Sequence, residues 1–354
     1  MIDKPIKISV AVITYNQQDT IRQTLDSILM QKGDFDLELV IGEDCSTDGT
    51  LAICEEYARQ WNDGMSRADA LNEPLSLNGG KRIVKLLSGS KNLGITANYF
   101  RTLQACTGEF IGDIAGDDFY CDDHALDKQM HYLQSHPEVG VLGANGYKYY
   151  VRRNQKVPGL NPAINAGEDI AKSFYFSSNY PGGVYLKPVG TMIRRSMLDY
   201  IDYNEILRRK LPVEDYPMQA IWSQYTHFAC MPDLLVTYRV YDESTTFISF
   251  DHPKYLSYYR GLAETRRYLN ELFPQDACIT EAMIQEQLFY KEFLLYVHQG
   301  KYREAKQLIA DAPKEIKIGA KVIQAKRFTQ TWLHFIMAHY IKEHKYHKDI
   351  LERT

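Results

Sequence analysis

The sequence has no long apolar run and no cysteine pattern of a metal site. None of its apolar runs approaches the roughly 20 residues that a membrane-spanning helix needs, and no charged-then-apolar leader opens the chain. Its six cysteines show neither CxxC nor another metal-like spacing. We therefore expect a cytoplasmic protein with reduced thiols, for which any membrane contact is peripheral.

A strongly basic field is also missing. The 354 residues carry a net charge of −4, with 45% hydrophobic and 24% charged residues, which is typical of a soluble globular protein. Nucleic acid is therefore not an expected partner. The charge is uneven, because residues 301–354 hold 12 Lys/Arg and 6 Asp/Glu. This basic segment, with an apolar stripe within 323–340, indicates a packed and solvated helical face or a surface for a membrane or partner protein.

Strand and helix patterns alternate over the first 120 residues. Apolar, β-branched runs predict buried strands at 6–14, 37–41, 82–87 and 110–114. Helical patterns follow the first three, and the third helix is predicted over about 95–106. The alternation predicts an α/β fold, with a parallel sheet between helices on both faces.

Polar loops follow three of these strands. They contain the pairs Tyr15-Asn16, Glu43-Asp44 and Asp117-Asp118. Parallel strands end at one edge of a sheet, where open α/β sheets bind ligands, so we expect the loops to converge on one ligand. Two adjacent carboxylates there suit a hard divalent cation that shares its shell with phosphates, although an ordinary Gly-Asp turn explains the same letters.

The pattern becomes mixed beyond residue 138. Strands are predicted at 139–151, with exposed aromatic side chains, and at 189–193 and 234–240. Helical patterns cover 196–208 and run from about Asp215 through Trp222. Two polar stretches, 62–80 and 152–188, are predicted to be loops, the second of them mobile.

Helical patterns alone fill the end of the chain. They cover 252–273, 280–299, 301–311 and 315–347. We predict two domains, a mixed α/β domain over 1–250 and an all-helical appendage over 251–354.

Five motifs in order carry a resemblance to a known family: ISVAVITYN, LVIGEDCSTDGT, KNLGITANYF, GEFIGDIAGDDFY and VEDYPM. The chain resembles the family 2 glycosyltransferases of the GT-A fold, over about residues 6–245. The resemblance implies a mixed, mainly parallel sheet and an inverting, metal-assisted transfer of a sugar from a nucleotide-diphosphate sugar, with UDP expected. The Gly-Asp-Asp-aromatic form resembles the branch that builds bacterial surface polysaccharides, which implies a glycan or lipid-linked glycan acceptor.

The resemblance assigns the nucleotide to the first two loops. Thr14, Tyr15 and Asn16 would contact it, and the Tyr15 ring would stack on the base, unless it is a tyrosine at the edge of the core. Asp44 would accept the N3–H of uracil or thymine, because an ionised carboxylate only accepts hydrogen bonds. Asp48 is better explained as a helix cap.

Further contacts are implied on either side of the sheet edge. Lys91 and Asn92 precede a helix and suit a diphosphate or a base edge, although a lone loop lysine is usually solvated. Arg239 would pair with a phosphate. Tyr241 stands where relatives often carry a histidine that contacts metal or diphosphate.

Asp117 and Asp118 match the metal-binding acidic motif. The resemblance implies that Asp118 is the principal Mn²⁺ or Mg²⁺ ligand and that Asp117 contacts ribose or metal. The acid often found two residues before Asp117 is Ala115 here. Asp113, which strand alternation puts on the same side as Ala115, could replace it.

Glu214 and Asp215 match the acidic pair that supplies the catalytic base. An inverting transfer needs one carboxylate to take the proton of the acceptor hydroxyl, and Asp215 is the first choice. Composition alone would favour acids that stabilise a helix N-terminus.

Two other functions stay open. Ala115 and Tyr241 are compatible with a non-catalytic scaffold that binds a nucleotide sugar. A nucleotidyltransferase has a related sheet, but the chain lacks a Gly-rich, Lys/Arg-containing loop after its first strand.

Overall fold

The computed structural model describes residues 7–62, 80–165, 186–241 and 252–312. The chain divides into two compact units, Met1–Glu243 and Ser244–Thr354. All six cysteines are free thiols.

One mixed sheet organises the first unit. Its described strands are β1 (Lys7–Thr14), β2 (Asp36–Glu43), β3 (Arg82–Leu87), β4 (Phe110–Ala115), β5 (Phe119–Tyr120), β6 (Val139–Tyr150), β7 (Gln155–Pro158), β8 (Thr191–Arg194) and β9 (His227–Val240). They lie in the order β3-β2-β1-β4-β8-β6-β9-β5, and β7 pairs with β6.

Helices follow most of these strands. In the first unit they are α1 (Ile21–Leu29), α2 (Thr50–Asn62), α3 (Ile95–Gln104), α4 (Ala125–Ser135), α5 (Tyr203–Arg209) and α6 (Asp215–Trp222). The second unit contains α7 (Tyr255–Leu272), α8 (Glu281–His298) and α9 (Tyr302–Ala310).

The first half of the sheet is parallel, as the sequence predicts. Strand β1 pairs in parallel with both β2 and β4, and β3 extends β2. One face of the sheet packs on α1 and α2. The apolar side chains of α1 recur at helical spacing, so they lie on one side of the helix. The largest core cluster contains, from β1 and α1, Ile8, Val10, Val12, Ile21, Leu25, Ile28 and Leu29.

Helix α3 packs on the opposite face of the sheet and lies close to β2. The amide of Asn98 donates to the carbonyl of Gly42 over 2.7 Å. A Cβ on Gly42 would lie 2.0 Å from the Thr102 hydroxyl, so only glycine lets the helix approach β2 this closely. The helix ends at Gln104, two residues before the predicted end.

The second half of the sheet is mixed. Strand β8 pairs antiparallel with β4 and β6, and β6 pairs in parallel with β9 through several irregularities. The prediction of exposed aromatic side chains on β6 is wrong: Tyr147 and Tyr149 are half-buried, and Tyr150 is buried. Lys156 of β7 covers the Tyr147 ring at 4.1 Å from its centroid.

Several predicted boundaries differ from the structure. A 3-10 helix, Arg195–Tyr200, and α5 replace the single helix predicted over 196–208, because the Asp202 carboxylate caps α5 by accepting the Glu205 N–H at 2.9 Å. Strand β9 begins at His227, before the predicted 234. The elements α4, β5 and β7 have no counterpart among the predictions, and β7 lies within the predicted 152–188 loop.

The second unit is helical where it is described. Helices α7 to α9 match the first three predicted segments, and the turn between α8 and α9 contains Gly300 with a φ of 69°. Phe289, Phe293 and Val297 of α8 pack with Ala305 and Ile309 of α9. Within the described residues, no helix combines the length and the apolar character needed to cross a bilayer. The predicted helix at 315–347 lies outside the described residues.

Candidate functional site

The loops after β1, β2 and β4 converge, as the sequence predicts. The Asp44 N–H donates to the Thr14 carbonyl over 3.0 Å, and the Gly116 N–H donates to the Ile13 carbonyl over 2.9 Å. The Thr20 hydroxyl adds a bond of 3.1 Å to the Gly116 carbonyl. These bonds bring the predicted nucleotide and metal residues to one edge of the sheet.

The first loop has one exposed aromatic ring and two engaged polar side chains. Tyr15 is 46% exposed. Asn16 adopts a left-handed φ of 52°, and its side-chain oxygen accepts the Thr47 N–H at 2.8 Å. Thr14 is buried and donates to Gln17 over 2.8 Å. Tyr15 can therefore contact a ligand. The side chains of Asn16 and Thr14 fix the shape of the loop that carries Tyr15, and their own nucleotide contacts stay predictions.

Asp44 is buried against the start of α3. Its two carboxylate oxygens accept the N–H groups of Leu93 at 2.8 Å and of Gly94 at 2.9 Å, and the Asn92 amide donates to its carbonyl at 3.0 Å. The predicted uracil acceptor thus already has one partner on each oxygen, and a carboxylate oxygen can accept a second. Lys91, which directly precedes Asn92, is exposed.

Asp48 occupies the position of a helix cap, as expected. One carboxylate oxygen accepts the N–H of Thr50, the first residue of α2, at 2.9 Å. The other oxygen accepts the Gln18 N–H at 3.2 Å, which ties the second loop to the first.

The acidic pair lies against β9. Asp118 is 1% exposed, and its Oδ1 accepts the backbone N–H of Arg239 at 2.7 Å. The guanidinium of Arg239 is buried and donates to the Asp117 carbonyl and to Gln23. Arg239 therefore fixes the loop that carries both carboxylates, and its predicted phosphate contact remains a prediction.

Nearby positive charge does not offset the burial of Asp117 and Asp118, so the pKa of each carboxyl group stays raised. Burial raises the pKa of Asp118 well above its ordinary value, and the Asp117 charge raises it further. Burial also raises the pKa of Asp117, against which Arg239 and Gln17 act. Burial and the same two carboxylates raise the pKa of Tyr241, so its phenol lies near the pair.

These properties fit a hard divalent cation. Carboxylate oxygens are the ligands that such ions prefer, and a cation would offset the cost of two buried negative charges. Over the residues described, no three His, Cys, Asp or Glu side chains form a group that could hold a metal. Asp117 and Asp118 would therefore need further ligands from a donor diphosphate or water.

Asp215 is the first residue of α6 and Glu214 directly precedes it, where the sequence places the base. Both are half-buried. Burial raises the pKa of Asp215 to about 6, opposed by the Tyr216 N–H, which donates to it at 2.7 Å. Burial also raises the pKa of Glu214. A carboxylate with a pKa near 6 is mostly ionised at neutral pH and is a stronger base than an ordinary aspartate.

Asp113 lines a small cavity together with Asp215. Its carboxylate accepts the hydroxyl hydrogen of Tyr99 at 2.7 Å. The sequence predicts that Asp113 could replace the acid that is missing at Ala115. The structure also allows another role, in which Asp113 acts together with Glu214 and Asp215.

Sequence reasoning did not single out two cations of this region. Arg101 donates to the Glu43 carbonyl at 2.7 Å and to the Leu87 carbonyl at 3.3 Å, so it ties the ends of β2 and β3 together. Lys187 is half-buried, with its ammonium 5.2 Å from the Tyr238 ring centroid. Burial and the charge of Lys148 lower its pKa, and Asp118 opposes the change only in part. An isolated cation carries no periodic signal that could have revealed either position.

Comparison with known proteins identifies the family. Residues 9–201 match the model of glycosyl transferase family 2, which is more than half of the chain. The chain belongs to this family. The matched residues include the three converging loops of the family 2 domain but end before Glu214 and Asp215.

Individual relatives match over shorter stretches. A putative glycosyltransferase, EpsE of Bacillus subtilis, is 30% identical over 137 residues, or 39% of this chain and 42% of that protein. An uncharacterised protein of Mycobacterium tuberculosis is 32% identical over 133 residues, or 38% of this chain and 33% of that protein. The matches thus span less than half of these relatives.

A solved structure shares the fold. Staphylococcus aureus TarS in complex with UDP superposes with a TM-score of 0.50 at 19% identity, over 82% of this chain and 72% of that chain. The family match and this superposition establish the GT-A fold with helices at the C-terminus, as the sequence predicts.

Proposed function

We propose that this protein is an inverting glycosyltransferase that moves a sugar from a nucleotide-diphosphate sugar to a glycan or lipid-linked glycan acceptor. The observation that carries the proposal is the meeting of three loops at one edge of a family 2 domain, with Asp117 and Asp118 on the third. Glu214 and Asp215 complete the set with basicity raised by burial.

The donor would lie over the carboxyl ends of β1 and β2. The exposed Tyr15 ring would stack on the base, and Asp44, held by Leu93 and Gly94, would accept the base N–H with a remaining lone pair. Lys91, Asn92 and Arg239 are the proposed partners of the rest of the nucleotide. UDP is the proposed nucleotide, since TarS is solved with UDP and with UDP-GlcNAc.

Asp118 and Asp117 would hold Mn²⁺ or Mg²⁺, which when bound neutralises negative charge on the departing diphosphate. Asp215 would take the proton of the acceptor hydroxyl as that oxygen bonds to the anomeric carbon. The bond from this carbon to the diphosphate oxygen breaks on the opposite face, and its electron pair leaves with the nucleotide. An α-linked donor therefore yields a β-linked product. Glu214 is the second choice for the base.

Nucleotide release from a sugar donor tests the proposal. Purified protein with Mn²⁺ is offered UDP-GlcNAc and other UDP-, GDP- and dTDP-sugars, without an acceptor, so that water takes its place. We expect slow release of one nucleoside diphosphate, lowered at least about 100-fold by Asp215→Asn. Asp199→Asn, which removes an exposed carboxylate of the same domain, should leave the rate unchanged.

A scaffold would give a different result. Ala115 and Tyr241 replace residues that the family resemblance would lead us to expect at the metal shell. A protein that binds a nucleotide without releasing it from any sugar, with or without Mn²⁺, would be a non-catalytic subunit of a polysaccharide-assembly complex. That outcome would overturn the proposed activity.

A further inference from the structure

The backbone of Lys187 is fixed between β6 and the helix that carries the proposed base. Its N–H donates to the side-chain oxygen of Asn161 over 2.9 Å, and the Asn161 amide donates to its carbonyl over 3.2 Å. Asn161 is buried and also donates to the Ala144 carbonyl of β6 over 2.8 Å. Gln219 of α6 donates to the carbonyl of Leu186 over 3.0 Å. Because the backbone is restricted on both sides, less conformational entropy is lost when a ligand contacts the Lys187 side chain.

The ammonium of Lys187 lies on an aromatic ring beside a second lysine. It is 5.2 Å from the centroid of the Tyr238 ring. Lys148 is directly opposite Tyr238 in the parallel pairing of β6 with β9, so the two side chains stand on the same face of the sheet. Both lysines are half-buried, so a ligand from solvent can reach them.

These two residues, Lys148 and Lys187, form a lysine pair without a counter-charge in contact. Among the described residues, no carboxylate forms an ion pair or a hydrogen bond with either ammonium. A partly buried charge costs free energy unless an opposite charge accompanies it, and two like charges side by side add to that cost. The pair therefore favours an anionic ligand.

The lysine pair lies away from the proposed nucleotide and close to the proposed base. Strands β8 and β4 separate β6 from β1, and three strand spacings of about 4.8 Å put β6 roughly 14 Å from β1. Asp118 is nearer, because it accepts the N–H of Arg239, which follows Tyr238 in β9. Pro188, the residue after the second lysine, lines the small cavity together with Asp215. The acceptor must bring its hydroxyl to Asp215, so it would pass beside the pair.

We propose that Lys148 and Lys187 bind an anionic group of the acceptor, a phosphate or a carboxylate, and thereby hold the reacting hydroxyl towards Asp215. The inference rests on the proposed function and names its substrate class, an acceptor glycan with negative charge close to the hydroxyl that receives the sugar. An ammonium is a compact point charge with three donors, so it binds either kind of anion without the planar geometry that arginine requires. The donor diphosphate is the other anion that a lysine could bind, and the experiment separates the two.

Thermal shift with inorganic phosphate tests the site. Saturating UDP with Mg²⁺ occupies the donor site, and phosphate is then titrated against chloride at equal ionic strength. We expect a saturable rise of the melting temperature in the wild type. The half-saturating phosphate concentration should be at least about tenfold higher in Lys187→Met, which loses a charged hydrogen bond to the anion. Lys187→Arg keeps the charge and should keep most of the response.

Two further variants make the test specific. Lys148→Met should act in the same direction as Lys187→Met, which covers a Lys187 variant that fails to fold. Lys156 is a matched control, because its ammonium also lies on an aromatic ring, 4.1 Å from the Tyr147 centroid. Tyr147 precedes Lys148 in β6, so it stands on the other face of the sheet. Lys156→Met should therefore leave the phosphate response unchanged, including the general stabilisation by phosphate that does not saturate.

The outcomes separate this inference from the proposed function. Equal phosphate responses of the wild type, Lys187→Met and Lys148→Met would overturn it and leave the proposed activity intact. A response that UDP abolishes, together with weaker UDP binding by Lys187→Met, would assign the lysines to the donor diphosphate and overturn the acceptor site. A protein that binds no nucleotide would count against the proposed function. In that case a phosphate response that is lost in Lys187→Met and kept in Lys156→Met would still support the anion site.

Discussion

The backbone N–H of Arg239 donates to Oδ1 of Asp118 over 2.7 Å, across 121 positions of the chain. The last long strand of the sheet thereby holds a carboxylate that follows the fourth strand. Thr24 of α1 adds a hydroxyl bond of 2.6 Å to the Asp118 carbonyl. The acidic loop is thus fixed from two sides by hydrogen bonds within the protein.

Asp118→Asn should separate stability from ligand binding. Because burial raises the pKa of Asp118, its ionised form destabilises the fold at neutral pH, and the amide should raise the melting temperature. The same change should remove the Mn²⁺-dependent part of the stabilisation by UDP, measured by thermal shift. Asp123→Asn, which removes an exposed carboxylate, is the control. An unchanged Mn²⁺ effect in Asp118→Asn would exclude this carboxylate as a ligand.

Tyr15→Ala should weaken UDP binding without loss of stability. Stacking of a base on an aromatic ring contributes about 1–3 kcal/mol, so titration calorimetry should show a Kd raised roughly 5- to 150-fold. Tyr15→Phe keeps the ring and should bind almost normally. Tyr225, which is 52% exposed against 46% for Tyr15, offers a matched control, because Tyr225→Ala should leave the Kd unchanged. Equal affinities of Tyr15→Ala and the wild type would place the base elsewhere.

The rate of nucleotide release should follow the ionisation of Asp215. The base acts only when ionised, so kcat/KM should rise with pH, reach half of its plateau near pH 6 and level off above pH 7. Because the folded pKa lies above the ordinary value of 3.8, the Asp215 contribution to stability falls as pH rises from about 4 to about 6. Asp215→Asn should therefore be inactive and more stable at pH 7. A rate that is flat from pH 5 to pH 8 would contradict the assignment.

Glu38→Gln should destabilise the fold by about 2 kcal/mol at pH 7, because it leaves Lys7 and Lys85 beside a neutral group. Burial would raise the pKa of Glu38, but the bonds from Lys85, Ser9, Thr107 and Lys7 outweigh it and hold the pKa at about 2.

Urea unfolding at several pH values measures this effect. A lowered folded pKa gives stability that is present above about pH 4.5 and lost as the pH falls towards 2, so the difference between wild type and variant should shrink at pH 3. Glu56→Gln breaks the exposed pair with Arg22 and should cost less than about 1 kcal/mol. A Glu38→Gln protein as stable as Glu56→Gln would show that the buried network contributes little.

Local patterns were sufficient for the first half of the sheet. Strands β1 to β4 are apolar, β-branched runs, and α1 buries the apolar positions that its sequence spacing predicts. The short strand β5 and the edge strand β7 escaped prediction, because two to four residues carry no readable period. The helix predicted over 196–208 was divided by the Asp202 cap, a single hydrogen bond that competes with helix continuation.

The sequence by itself determined that acidic and aromatic residues follow three parallel strands, and that such strands end at one edge. The order of the sheet and its register decided the rest. They put Thr191 opposite Asp113, Arg239 beside Asp118, and Leu93 and Gly94 on the carboxylate of Asp44. These partners lie tens of residues or more apart in the chain. Their pairing depends on which strands become neighbours, and long-range packing decides that where local periodicity cannot.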